Sequence, residues 1–146
     1  MYHYLLALTA ALIYRFPSRH ITVIAVTGTK GKSTTVELTA AILEAAGYSV
    51  ASLSTVQFKI GKTVRPNLFK MTVPGRFFVQ RFLREAVNVG CHYVVLEMSS
   101  QAALQFRHKF IESDALIYTN LAPEHIESHG SFENYRDTKL GIARAV

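Results

Sequence analysis

The stretch ITVIAVTGTKGKSTTVEL, Ile21 to Leu38, sets the reading of the whole chain. Ile21 to Val26 is an apolar run of strand type, Gly28 and Gly31 punctuate a short loop, and a helical pattern opens at Ser33. Strand, glycine-bearing loop and helix, in that order, are what phosphate binding needs. Glycine adopts backbone conformations that a Cβ obstructs, so successive N–H groups converge on a phosphate at the positive end of the helix dipole. In such a loop Lys32 reaches the β and γ phosphates and the Ser33 hydroxyl faces magnesium. The competing reading is a glycine turn with two solvated lysines; strand, loop, lysine, hydroxyl and helix in the required order favour the phosphate loop. Val26 departs from the general GxxxxGK[ST] pattern, which has glycine at that place.

Upstream lies YHYLLALTAALIY, Tyr2 to Tyr14, ending at Arg15, Pro17, Ser18 and Arg19. It is short of the roughly 20 apolar residues a spanning helix needs, and it lacks the basic start and cleavage site of a secretory signal. Residues 1–20 are expected to form a hydrophobic helix packed on the domain, with peripheral membrane contact through residues 2–14 as the alternative. Downstream, Ser33 to Ala46 reads as a helix with Val36, Leu38, Ile42 and Leu43 inward and Gly47 as its stop. Tyr48 to Val56 reads as a strand, QFKIGKTV around Gly61 as a hairpin, and Pro66 to Met71 as a loop. Pro74 suits the first turn of a helix that carries Phe78, Phe82, Leu83, Ala86 and Val87 inward and Arg76, Arg81 and Arg84 outward, ending at Gly90. HYVVLEM is a strand buried on both faces; a helix from about Gln101 to Lys109, the strand ALIYTN and the helix SFENYRDTKLGIARA follow. This alternation predicts an α/β fold, a doubly wound, mostly parallel sheet of P-loop type.

Composition bounds the function. A chain of 146 residues with 49% hydrophobic content makes one domain with a proper core. The net charge of +6 invites a nucleic-acid reading, but there is no Lys/Arg block, RNA-binding signature or zinc-finger spacing, so no nucleic-acid partner is expected. An anionic small substrate explains the excess equally well. Cys91 is the only cysteine, which rules out an internal disulfide and favours a reducing, cytoplasmic setting.

In a doubly wound sheet ligands sit beyond the carboxyl ends of the strands. Three such ends, at Thr27, Glu97 and Asn120, carry polar chemistry. Glu97 offers a hard cation an oxygen ligand at the edge that holds the phosphate loop; the alternative is an acid that caps the next helix or pairs with an arginine. TNLAPEHIESHG, Thr119 to Gly130, reads as an active-site loop. His125 and His129 flank Glu127, but HIESH is not HExxH and Gly130 opposes a helix, so zinc is disfavoured against histidines in a loop. In the last helix Ser131 can cap, Glu133 suits the first turn, and Lys139 lies two turns on.

Several segments resemble one family. TGTKGKSTT, Thr27 to Thr35, is similar to the variant nucleotide loop TGTxGK[ST] of the Mur ligase superfamily, which includes folylpolyglutamate synthase. EMSSQAALQFR resembles the EVSSHxLxxxR segment of the MurE branch, TNLAPEHIESHGSFENYRDTKL its TNLxxDHLDYHGxxExYxxAK segment, and MTVPG its TTP motif. The blocks occur in the same order over about Ile21 to Leu140. Folylpolyglutamate synthase usually has GKGS at the loop, whereas Ser33 follows Lys32 directly here, which favours the MurE branch. On this resemblance residues 21–146 form a partial Mur ligase central domain, incomplete at its C-terminus, and the uridine-binding domain that usually precedes the loop is not expected in so short an N-terminal segment.

The resemblance implies ATP bound by Gly28, Thr29, Lys30, Gly31, Lys32, Ser33 and Thr34, with Asn120 near the nucleotide. It implies Mg2+ held by Glu97 and His125, with Lys139 carbamylated by carbon dioxide and holding a second magnesium. A UDP-MurNAc-peptide would be contacted by Thr72, Ser99, Gln105 and Arg107. The implied reaction is ATP-dependent amide formation in peptidoglycan synthesis: the acceptor carboxylate becomes an acyl phosphate, which the amine of an amino acid attacks. Lys32, Lys139 and Arg107 are then the catalytic cations or cation-holding groups, and a C-terminal domain binds the amino acid. Val73 for the second threonine of TTP, Gln101 for histidine, Glu124 for aspartate and Ser128 for tyrosine are departures that fall mainly on acceptor contacts. The competing classes are a P-loop switch or kinase, in which Lys139 and Arg107 are surface charges, and a pseudo-enzyme or membrane-tethered binding module.

Overall fold

A computed structural model describes residues 2–69, 71–122 and 131–143. In chain order the elements are α1 (Tyr2–Ile13), a 3-10 turn (Pro17–His20), β1 (Thr22–Thr27), α2 (Lys32–Ala45), β2 (Val50–Leu53), β3 (Gln57–Ile60) and β4 (Thr63–Pro66). There follow α3 (Arg76–Val89), β5 (Tyr93–Glu97), α4 (Ser100–Leu104), β6 (Ala115–Tyr118) and α5 (Phe132–Ala143).

The strands form one six-stranded sheet in the order β4, β3, β2, β5, β1, β6. β2, β5, β1 and β6 run parallel, and the hairpin β3–β4 adds an antiparallel edge. Alternating residues of the parallel strands face opposite layers. Val26, Val50 and Val95 pack with Val36, Ala40 and Leu43 of α2 on one face. Val23, Ala25, Ala51, Val94 and Leu96 pack on the other with Val79, Phe82, Leu83 and Ala86 of α3 and Ala102 and Ala103 of α4. Each large side chain fully buried in this way contributes roughly 1.5–3 kcal/mol, which is why β5 reads as an unbroken apolar run.

Several expectations about local structure need correction. Leu38 and Ile42 do not face inward; they are 59% and 69% exposed. The sheet takes the stripe through Val36, Ala40 and Leu43, at i, i+4 and i+7, and Leu38 lies about 200° round the helix from Val36. Arg84 does not face solvent: its guanidinium donates to Tyr14 O at 2.9–3.0 Å and to Arg15 O at 3.1 Å, closing the exit of α1. The helix expected to run from Gln101 to Lys109 stops at Leu104, and Phe106 and Phe110 adopt positive φ of 55° and 62°. The strand expected over Tyr48 to Val56 is confined to Val50–Leu53. α3 begins at Arg76 with Gly75 as its N-cap, leaving Pro74 outside the first turn. Pro66 closes β4 rather than opening a loop, as suits proline on an edge strand.

α1 lies against α3 through its small face, burying Ala7, Ala10 and Ala11, while Tyr2, Leu5, Leu12 and Ile13 point outward. Among the described residues no helix is long and apolar enough to cross a membrane.

Candidate active site

The parallel register brings the strand ends together. Glu97 pairs with Val26, one residue before the last residue of β1, and Tyr118 pairs with Thr27. Four chain segments therefore meet beyond the sheet: the loop after β1, the residues after β2, those after β5 and those after β6. They open a cavity of about 460 Å3 whose lining includes Gly28, Lys32, Thr55, Thr72, Glu97, Ser99, Gln105, Arg107 and Tyr135. A hollow of about 790 Å3 between the β3–β4 hairpin and α3 is lined mainly by Phe58, Leu68, Phe69, Phe78 and Phe82. Another of about 830 Å3 lies around Arg19, His92 and Asp114. Neither contains the glycine loop.

The loop is built from the backbone outward. Gly28 has φ +144°, and a Cβ there would fall 1.9 Å from Thr119 Oγ1, so the close passage of the β6 exit requires glycine. Gly31, at φ +78°, is the left-handed N-cap of α2. The chain after β6 then braces the loop. Thr29 N–H donates to Asn120 O and Lys30 N–H to Asn120 Oδ1, both at 2.9 Å. Asn120 Nδ2 and Thr119 Oγ1 donate in turn to Lys30 O at 3.0 and 2.8 Å. Asn120, expected beside the nucleotide, thus spends its amide on the loop backbone. Lys32 Nζ donates to Thr29 O at 2.8 Å, closing the loop on itself. Lys30 and Thr34 are exposed at its rim.

Glu97 is 2% exposed, and among the described residues it neither caps α4 nor pairs with an arginine. Ser33 Oγ donates to its Oε2 at 2.7 Å, and Thr55 donates to it through its N–H at 2.8 Å and its hydroxyl at 3.1 Å. A buried carboxylate with three donors and an open cavity beside it is a fit arrangement for a hard cation, because Glu97 and Ser33 present oxygen only. Thr55 escaped the sequence reading, although it follows a parallel strand that ends at the same edge. Tyr135 escaped it too. Its ring is 1% exposed on α5, and its OH shares a 2.9 Å hydrogen bond with Thr29 Oγ1, which also accepts from Ala122 N–H at 3.0 Å. α5 is thereby fixed to the glycine loop, with Ser131 Oγ accepting from Asn134 N–H at its N-terminus.

Of the expected acceptor residues, Thr72, Ser99, Gln105 and Arg107 all line the cavity. Ser99 is also the N-cap of α4, accepting from Ala102 N–H at 3.2 Å. Arg107 Nη2 donates to Gln105 Oε1 at 2.5 Å and Nη1 to Val73 O. Burial first, and then the charge of Arg76, hold the Arg107 guanidinium below its ordinary pKa. Lys139 falls in α5, one turn after Tyr135, but its side chain lies outside what the structure describes. His125 and His129 lie outside the described residues altogether, and among the described residues no group of three or more His, Cys, Asp or Glu is placed to hold a metal.

Residues 26–146 match the family model of the Mur ligase middle domain. The chain belongs to the Mur ligase family. A UDP-N-acetylmuramyl-tripeptide synthetase of Treponema pallidum (strain Nichols) is 40% identical over 143 residues, covering 97% of this Mur ligase chain and 26% of that protein. A UDP-N-acetylmuramoyl-L-alanyl-D-glutamate--2,6-diaminopimelate ligase of Syntrophomonas wolfei subsp. wolfei is 36% identical over 141 residues, covering 97% and 28%. A solved ligase of the latter name superposes with a TM-score of 0.74 at 27% identity, over 89% of this chain and 27% of that one. Escherichia coli FolC, solved with DHPP and ADP, shares the fold at a TM-score of 0.66 and 21% identity, over 91% and 38%. This Mur ligase chain spans about a quarter of the length of the two curated relatives.

Proposed function

We propose that this chain carries the nucleotide, magnesium and acceptor half of an ATP-dependent ligase that joins an amino acid to a UDP-MurNAc-peptide. The observation that carries the reading is the convergence, in one cavity, of Lys32, Glu97 and the candidate acceptor residues Thr72, Ser99, Gln105 and Arg107. A P-loop switch or kinase needs the first two and gives no reason for the others to line the same space.

In this reading Lys32 exchanges its bond to Thr29 O for the phosphates, and the backbone N–H groups at the start of α2 face them. Ser33 and Glu97 would hold magnesium, with His125 and Lys139 as further proposed holders. The metal supplies charge neutralisation at the phosphates. Thr55 keeps the Glu97 carboxylate oriented through its two donated hydrogen bonds. Arg107, Gln105, Thr72 and Ser99 hold the acceptor so that its carboxylate faces the nucleotide, because placement and fixed positive charge do most of the work between anionic partners. The incoming amino acid is held by parts of the longer relatives that this chain does not span, and the setting is cytoplasmic.

The reading is tested by ADP release and mass spectrometry, using a protein that joins this chain to the remaining length of such a relative. ADP and muramyl-tripeptide formation that require both a UDP-muramyl-dipeptide and an amino acid are expected. ADP release independent of both would point to a nucleotide switch or kinase.

A further inference from the structure

Arg107 and Gln105 line the cavity, and the Arg76 guanidinium reaches the same Gln105 from the start of α3, with no carboxylate between the two arginines among the described residues. Arg107 is tied to Val73 O and Gln105 Oε1, and Arg76 Nη2 donates to the backbone carbonyl of the same Gln105. The Nε atoms of both arginines are shut off from solvent without a partner, and among the described residues neither arginine takes part in an ion pair. Arg76 is also the first residue of α3, whose N-cap Gly75 offers no side-chain cap and whose first turn has no acid. A cation at that end of a helix opposes the dipole. Like charges held together, partly buried and against a helix dipole, are unfavourable in the empty protein; an oxyanion received between them reverses all three terms. The phosphate loop already provides for the nucleotide with Lys32 and its own N–H groups, so the anion received here belongs to the other substrate.

We propose that Arg76 joins Arg107 in a two-guanidinium site for an oxyanion of the acceptor that is not the carboxylate being activated, and that Arg76 selects acceptors bearing this second negative group. The proposal rests on the ligase reading above and adds to it a residue that the sequence pattern assigns to solvent. The oxyanion is either a second carboxylate of the peptide or a phosphate of the nucleotide-sugar, since both match a guanidinium fork.

The test is calorimetry on the chain and its Arg76→Ala and Arg76→Lys variants, with AMPPNP and magnesium present. The probes are UDP-MurNAc-L-alanyl-D-glutamate, the two analogues in which one or the other glutamate carboxylate is an amide, and the peptide lacking the UDP group. Arg76→Ala is expected to weaken the dicarboxylate probe tenfold or more and Arg76→Lys to weaken it less, while AMPPNP affinity, which reports the fold, stays within twofold. If the anion is a carboxylate, one monoamide binds wild type and Arg76→Ala alike. If it is a phosphate, the dependence survives in both monoamides and vanishes without UDP. Equal affinity of wild type and Arg76→Ala for every probe overturns the proposal and leaves the ligase reading standing. Should wild type bind no muramyl probe, the ligase reading fails instead. The anion site is then judged by titrating inorganic phosphate and following the arginine Nε–H NMR signals: joint movement of Arg76 and Arg107 upholds it and still signals overturn it.

Discussion

The glycine loop and the arginine wall, which meets the same cavity through Gln105 and Arg107, are built on opposite principles. Within the loop, polar groups are satisfied internally: Lys32 on Thr29 O, Ser33 on Glu97, Lys30 N–H on Asn120. At the wall, Arg76 and Arg107 find, among the described residues, only neutral acceptors, at Gln105, Val73 and Met71. On the proposed reading the loop is thus shaped before its ligand arrives, and binding exchanges one set of hydrogen bonds for another. The wall is shaped but not neutralised, and it gains most from a charged partner. Stability and affinity should therefore respond differently to substitutions in the two regions.

The largest expected effect is on the loop side. Lys32→Ala should weaken AMPPNP binding at least a hundredfold, about 2.8 kcal/mol at 1.4 kcal/mol per decade, while leaving the melting temperature nearly unchanged, because its bond to Thr29 O is local to the loop. Calorimetry beside a thermal melt separates the two quantities. Gly28→Ala should do the reverse of a clean binding mutant. With φ at +144° and Thr119 Oγ1 1.9 Å from the new Cβ, it should lose about 2 kcal/mol of stability or more, seen as a lower denaturant midpoint, together with nucleotide binding.

This contrast also explains what was legible in the sequence. The loop's chemistry lies in consecutive residues, so Gly28, Gly31, Lys32 and Ser33 are readable from their order, and the alternation of elements around them gives the sheet. The wall is assembled from Val73, Arg76, Gln105 and Arg107, and only folding brings them together. Arg76 looks solvated by helical periodicity, since that pattern describes the face toward the sheet and says nothing of what passes the helix's first turn. Leu38 and Ile42 mislead in the other direction: they are apolar and helical, yet the sheet takes the stripe of Val36, Ala40 and Leu43. Thr55 was within reach, because the strand-end rule applies to β2 as much as to β1, β5 and β6. Tyr135 was not, because its partner Thr29 lies 106 residues away.

A smaller effect sharpens the loop side. Thr55→Val removes one of the two bonds Thr55 gives Glu97 and keeps the N–H bond. It should raise the magnesium concentration needed for half-maximal AMPPNP binding about tenfold, roughly the worth of one hydrogen bond to a charged group, with little change when metal is absent. Titrating magnesium at fixed AMPPNP measures it.

The smallest effect lies just beyond the wall. Burial, and then the charge of Lys109, hold His108 below its ordinary pKa. The unfolded chain then binds the extra proton first as pH falls, so this contribution to stability is full above the unfolded value of about 6.5 and is lost as pH drops through it toward the folded value. His108→Gln should flatten the dependence of melting temperature on pH between about 5 and about 7. An unchanged slope would assign the acid sensitivity elsewhere.

The central claim, that Glu97 and Lys32 face one magnesium-nucleotide in this cavity, is tested most directly by titrating AMPPNP into wild type and Glu97→Gln with magnesium and with EDTA. The account predicts that Glu97→Gln loses most of the magnesium-dependent gain in affinity while metal-free binding stays within twofold of wild type. Equal loss with and without magnesium, or no loss in either, would contradict it.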